Sequence, residues 1–127
     1  AIGAAERLTS GEIRVHVTKH SPKDLAARAE RRFQLLGMTR TAERNGVLIY
    51  IAPKARSFRI LGDAGIHEKA GDEFWTQVAA VIEEHFRRGE FTDGVVRGVE
   101  RVGELLQLHF PRKADDRNEL PDQVTED

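Results

Sequence analysis

The sequence predicts an α/β fold, a three-layer α/β/α sandwich built around a small mixed sheet of three to four strands. Three observations carry this reading. Residues 47–52, VLIYIA, form an apolar run of strand length without alternation, the pattern of a strand covered on both faces. Residues 12–18 alternate Ile13, Val15 and Val17 against Arg14, His16 and Thr18, the period of a strand with one buried face. Three other segments, opening at Ser21, Phe74 and Thr92, repeat apolar residues at helical spacing. At 127 residues the chain is long enough for one core and too short for two.

Taken in order, Ile2, Ala5 and Leu8 make a short helical stripe that stops at Thr9-Ser10-Gly11, where Gly11 suits a C-terminal turn. The first strand follows, from Glu12 to Thr18. Ser21-Pro22-Lys23-Asp24 reads as a helix start, with serine as cap, proline at the first helical position and Asp24 where a capping box wants an acid. Leu25, Ala26, Ala29, Phe33 and Leu36 form its apolar face, which ends at Gly37. Asn45-Gly46 leads into the central strand, Pro53-Lys54-Ala55-Arg56 turns the chain, and Ser57 to Leu61 returns as the third strand of an antiparallel hairpin.

Gly62-Asp63-Ala64-Gly65 takes the chain out of the sheet, and Phe74, Trp75, Val78, Val81, Ile82 and Phe86 then mark a helix. Thr92 is placed to cap a further helix that ends near Phe110-Pro111, with Gly94, Gly98 and Gly103 read as points of close helix packing. The folded domain is expected over residues 1–111. Residues 112–127, with three basic and six acidic side chains, read as an acidic, solvated tail in which Leu120-Pro121 is able to dock on the body.

Composition narrows the function classes. Twenty basic against twenty-one acidic side chains give a net charge of −1, so no field for a polyanion follows and nucleic acid is not an expected partner. With no cysteine, disulfides and thiolate metal sites are excluded. No apolar run approaches the roughly 20 residues of a membrane span. The first residues show neither an initiating Met nor a signal peptide and read as a trimmed chain, which leaves localisation open, membrane-associated or periplasmic if a segment precedes them.

Strand directions bring distant residues together. A helix between the first two strands makes them parallel, and the hairpin makes the third antiparallel to the second. The starts of the first two strands and the end of the third then share one end of the sheet, which makes Glu12, Asn45 and Asp63 neighbours. Asp72 at the start of the next helix is within reach, with Glu68 and Glu43 as further candidates. Carboxylates and an amide carbonyl around a glycine turn suit a hard divalent cation, Ca²⁺ or Mg²⁺. The five scattered histidines, and His67-Glu68-Lys69-Ala70-Gly71 without a second histidine, do not suit zinc. A structural reading stands beside this one: Gly62 and Gly65 serve a left-handed turn, Asp63 bonds its own backbone, and Asp72 complements a helix dipole.

At the opposite end, Lys19-His20-Ser21 beside Lys54 and Arg56 offers a place for a phosphate or carboxylate, or is ordinary surface. Phe74, Trp75 and Phe86 read as core, and Arg28, Arg31 and Arg32 as a solvated helix face. Ser21 lacks the base and orienting partner of a hydrolase triad, and no Walker loop or nucleotide-binding glycine fingerprint is present.

Residues 9–15, TSGEIRV, 44–52, RNGVLIYIA, 62–66, GDAGI, Phe74-Trp75 and 89–94, GEFTDG, resemble in order and spacing the TPM domain, a family named for thylakoid phosphatase-like, photosystem repair and receptor auxiliary proteins. The resemblance runs from about residue 2 to 111, and residues 118–122, NELPD, are similar to the tail of the family's short bacterial branch. It implies an α/β/α sandwich and, for some members, binding of divalent cations, Ca²⁺ especially. Acid phosphatase activity belongs to the plant branch, while other members act in complex assembly or as auxiliary membrane partners. Where the family commonly has Gly-Tyr-Gly-Leu-Glu, this chain has Gly62-Asp63-Ala64-Gly65-Ile66, which moves an acid towards the strand end and loses the later glutamate. The expectation is therefore a binding or assembly module with a divalent cation, Ca²⁺ before Mg²⁺. Its ligands would be Glu12 and Asp63, with Asn45 and Asp72 as second choices, and its partner a protein or membrane complex. A metal-assisted acid phosphatase is the alternative, and no catalytic residue for it is identified.

Overall fold

The apolar run at 47–52 lies at the centre of the sheet. The structure, a computed structural model, describes residues 11–20, 23–41, 44–111 and 124–126. Strands β1 (Glu12–Val17), β2 (Gly46–Ala52), β3 (Ser57–Gly62) and β4 (Thr125–Glu126) are ordered β3-β2-β1-β4. β1 runs parallel to β2 with Glu12 opposite Gly46, β3 runs antiparallel to β2 with Gly62 opposite Val47, and β4 lies parallel to β1 beside His16 and Val17. The mixed sheet and both strand directions are those the sequence predicts. Of the stretch read as an acidic tail, Thr125 and Glu126 join the sheet; residues 112–123 lie outside the described residues.

Helix α1 (Leu25–Leu35) covers one face, and α2 (Ala64–Lys69), α3 (Glu73–Arg87) and α4 (Phe91–His109) follow β3 in the chain. Alternation along β2 explains its unbroken apolar sequence. Val47, Ile49 and Ile51 join Ile13, Val15 and the buried residues of α2, α3 and α4, while Leu48 and Tyr50 pack with Ala29, Phe33 and Met38. Every β2 side chain is buried. Each large one contributes roughly 1.5–3 kcal/mol from burial, so a strand read twice, once from each face, anchors both layers.

The helix boundaries show which local signals prevail. Asp24, not Ser21, caps α1, its Oδ1 accepting from the Ala27 N–H at 3.0 Å. Ser21 and Pro22, like the helix expected over residues 2–8, lie outside the described residues. The segment after β3 holds two helices, interrupted at Gly71, whose φ of +71° ordinary residues adopt only with strain. α4 begins at Phe91 with Glu90 at the cap position and no side-chain bond to the helix, so Thr92 does not cap it. The close packing expected at Gly94 and Gly98 is present: a Cβ on Gly98 would stand 2.7 Å from Ile82, and one on Gly94 2.9 Å from His85 and Phe86.

Gly11, Gly62 and Gly65 do not have the left-handed backbone that a turn role would require. Gly11 and Gly62 leave room instead. A Cβ on Gly11 would stand 2.8 Å from Leu106, and one on Gly62 2.0 Å from the Trp75 ring. Among the described residues no helix is long and apolar enough to cross a membrane.

Candidate functional site

The three strand ends meet as the strand directions predict. Glu12 stands opposite Gly46, and the Asp63 N–H donates to the Gly46 carbonyl at 2.9 Å, so Glu12, Gly46 and Asp63 form one row across the sheet. Both carboxylate residues are buried, Glu12 at 2% exposure and Asp63 at 5%. Gly46 puts no side chain in the middle of the row, and Met38 fills that space, its carbonyl oxygen 2.9 Å and its methyl carbon 3.2 Å from where a Cβ would stand.

Asp63 is not a bare carboxylate. Arg44 grips it bidentately, Nε donating to Oδ2 at 2.5 Å and Nη2 to Oδ1 at 2.6 Å, and Oδ1 also accepts the Ala64 N–H at 2.8 Å as the cap of α2. This capping is the bond to its own backbone that the structural reading of Asp63 expects. Arg44 reaches it through a left-handed backbone, φ 53°, uncommon for a residue other than glycine. The Arg44 carbonyl accepts the Gly65 N–H at 2.8 Å, so side chain and main chain both tie the loop before β2 to the start of α2. The hydrogen bonds and the charge of Asp63 hold the Arg44 guanidinium above its ordinary range, and it stays cationic at any ordinary pH.

The remaining predicted ligands are distributed differently. Asn45 is fully buried, in the phase opposite Gly46, and its N–H donates to Thr41 Oγ1 at 3.2 Å. Asp72 is exposed at the cap position of α3 without a side-chain bond to the helix, Glu68 is exposed on α2, and Glu43 lies outside the described residues. Among the described residues no three His, Cys, Asp or Glu side chains come together as a group able to hold a metal ion. As it stands the row does not fit a divalent cation, because Arg44 supplies the counter-charge and the Ala64 N–H takes a further place on Asp63.

Beside the junction runs a cleft of about 920 Å³ with β3 as its floor. Phe33 and Gln34 of α1 line one side, Trp75 and Ala79 of α3 the other, and Arg44 and Asp63 also line it. The indole of Trp75 crosses Gly62 and packs edge-on against Phe74, with ring centroids 4.7 Å apart. Its Nε1–H is buried with no hydrogen-bond partner among the described residues. Trp75 is thus half core and half cleft wall, more than the core role its spacing suggests.

The edge position of β3 decides what the cleft presents. Because Asp63 pairs inward with Gly46, alternation turns Ser57, Arg59 and Leu61 towards β2 and turns the N–H and C=O groups of Phe58, Ile60 and Gly62 outward. No further strand pairs with β3 among the described residues. The cleft is therefore lined by unpaired main-chain donors and acceptors, with the exposed side chains of Arg56 and Arg59 beside them.

At the other end of the sheet Lys19 and His20 line a second pocket, of about 300 Å³, with Arg28, Arg31, Arg32 and Tyr50. Lys54 and Arg56, expected beside them, do not line it, and Arg56 belongs to the cleft.

Comparison with known proteins places this geometry. Residues 1–105 match the family model of the TPM domain. The fold is similar to the NMR structure of BA42 protein from the psychrophilic bacterium Bizionia argentinensis, at 43% identity and a TM-score of 0.93, over 99% of this chain and 87% of that one. It is also similar to the N-terminal domain of a protein from P. gingivalis, at 20% identity and a TM-score of 0.67, over 86% of this chain and 73% of that one. A third likeness is to the N-terminal domain of cg2496 protein from Corynebacterium glutamicum, at 15% identity and a TM-score of 0.65, over 83% and 66% of the two chains. The last two show the fold alone. No curated protein matches the chain.

Proposed function

The chain belongs to the TPM domain family, and from that membership and the cleft we propose that it works as a binding or assembly module whose recognition element is the open edge of β3. The observation that carries this reading is the row of outward main-chain groups at Phe58, Ile60 and Gly62 on the floor of a cleft walled by two helices. An extended segment of a protein partner adds there as a fourth long strand, its main chain bonding to β3 and its side chains entering the spaces beside Phe33 and Trp75. Arg56 just before β3 and Arg59 on it favour acidic positions along that segment, while Glu30 and Glu83 on the flanking helices favour basic positions beside them. The two arginines also disfavour two copies pairing through β3, because like charges brought opposite one another across a strand pair destabilise it.

Hydrogen exchange followed by NMR tests this directly. In the free chain the amides of Phe58, Ile60 and Gly62 exchange fast while Arg59 and Leu61 are protected. An acidic peptide of alternating Glu and Val slows the first three, and Arg59→Glu weakens that effect. Slow exchange at all five positions in the free chain would remove the reading.

A divalent cation, Ca²⁺ before Mg²⁺, remains our proposal for the Glu12–Asp63 row, as a site in exchange with Arg44. Two buried carboxylate residues in one row with the Met38 carbonyl beside them support it, on condition that Arg44 releases Asp63. Arg44→Gln, which frees both Asp63 oxygens from the guanidinium, is then expected to bind Ca²⁺ more tightly than the wild type in calorimetry, and Glu12→Ala more weakly. Absence of binding heat in both the wild type and Arg44→Gln sinks it. The alternative, a metal-assisted acid phosphatase, requires turnover of a phosphate ester at acid pH that disappears in Asp63→Ala; activity no higher than in that variant rejects it.

A further inference from the structure

The pocket at the carboxyl ends of β1 and β2 concentrates positive charge in a chain whose net charge is −1. Lys19 and His20 follow β1, and Arg28, Arg31 and Arg32 stand three and four residues apart on α1, which puts them on one helix face. Among the described residues no carboxylate lines the pocket. Asp24, one turn before Arg28, accepts the Ala27 N–H as the helix cap. Lys19, His20 and Arg32 have contacts of their own within the chain. Arg28 and Arg31 are exposed and enter no ion pair among the described residues. Arg28 and Arg31, three residues apart on one helix face, repel one another unless an anion shares the space.

Tyr50 supplies a second observation, independent of the charge. It lines the same pocket, is only 3% exposed, and is held flat against His16 with ring centroids 5.3 Å apart. Its hydroxyl forms no hydrogen bond among the described residues. The ring is buried while the hydroxyl is not among the buried polar atoms left without a partner, so the residue borders the space lined by cations with its donor open to it. Guanidinium groups offer planar, two-pronged donor sets that match the oxygens of a phosphate better than a point charge does. The pocket volume, about 300 Å³, suits a small anion.

We propose that this pocket binds a phosphate monoester dianion, held by Arg28 and Arg31 with the Tyr50 hydroxyl as a further donor. Leu35, 65% exposed, also lines the pocket. The ester carbon skeleton can therefore be that of a soluble metabolite or of a lipid headgroup at a membrane surface. This site lies at the opposite end of the sheet from the Glu12–Asp63 row and does not depend on the reading of the β3 cleft.

The test uses the full chain at low salt and follows backbone amides by NMR. Glycerol 3-phosphate is expected to shift Lys19, His20, Arg28 and Arg31, and the same concentration of sodium acetate is not. The double variant R28Q/R31Q weakens binding by about tenfold or more, the loss expected for charge-assisted bonds, while melting no lower than the wild type. Tyr50→Phe weakens it severalfold. Vesicles of phosphatidylcholine with phosphatidic acid, against vesicles with phosphatidylglycerol, identify the source. Sedimentation with phosphatidic acid alone assigns the lipid monoester, and binding of glycerol 3-phosphate without sedimentation assigns a soluble one. Absence of shifts at about 10 mM glycerol 3-phosphate, equal response to acetate, or undiminished affinity in R28Q/R31Q overturns the proposal.

Discussion

Replacing Gly62 by alanine tests how β3, the cleft and α3 are joined. A Cβ at this position would lie 2.0 Å from Trp75 Cη2 and 2.5 Å from Cζ2, where ordinary contact begins at 3.4 Å, so it falls about 1.4 Å short of the room it needs. The indole is rigid and cannot fold away as a flexible chain end does. It is backed by Phe74 at 4.7 Å and His67 at 5.5 Å between ring centroids. β3, for its part, is held in register along β2. Forced overpacking of this kind costs about 1–3 kcal/mol. Alanine recovers about 0.4–1 kcal/mol by restricting the unfolded chain, since the Gly62 backbone is one that alanine can adopt. The net loss is then about 1–2 kcal/mol, or roughly 4–8 °C in Tm for a domain of this size. Thermal denaturation by circular dichroism measures it, and the fluorescence of Trp75, the single tryptophan, reports the displaced ring. A Tm unchanged within about 1 °C together with an unchanged emission spectrum would refute the packing argument.

Gly71→Ala provides the contrast, because its φ is +71° and nothing lies within 4 Å of an added Cβ. It should lose about 1–2 kcal/mol to backbone strain alone, with Gly71→Asn milder in the same melt and the Trp75 emission unmoved in both. Asp63→Asn and Asp63→Ala both lose the ionic hold on Arg44, but only asparagine can still accept the Ala64 N–H. Alanine is therefore expected to melt lower, by about 1 kcal/mol, and equal melting of the two would deny the cap. Thr125→Val removes the hydroxyl that lies 2.7 Å from His16 Nδ1 and 3.3 Å from the Val15 carbonyl. It should cost about 1 kcal/mol and change the His16 Nδ1 chemical shift; an unmoved shift contradicts the contact.

The central strand was legible because both of its faces are apolar, and the strand directions followed from the helix and the turn that flank it. Those directions were enough to bring Glu12 and Asp63 into one row. The Arg44–Asp63 clamp was not legible, since it depends on a left-handed backbone at Arg44 that no residue type announces. Nor was the reason for Gly62, which is the ring of a residue thirteen positions later. α2 is six residues long, too short for a helical stripe to show, and it was absorbed into the junction. The basic pocket was legible only in part: Lys19 and His20 mark a strand end open to a phosphate or carboxylate, but helical spacing marks Arg28, Arg31 and Arg32 as an outer face and does not show that they, not Lys54 and Arg56, stand beside it.

The two long sides of the sheet are treated unequally. β1 is buried along nearly its whole length and carries β4 beside its last residues, while β3 is only half covered. A sheet open on both sides can pass its hydrogen bonding from copy to copy without limit. One that is closed on one side has a valence of one: it accepts a single strand and then terminates. Complexes built through β3 should accordingly be stoichiometric pairs that stop growing, and adding more of either component should raise occupancy without lengthening the assembly.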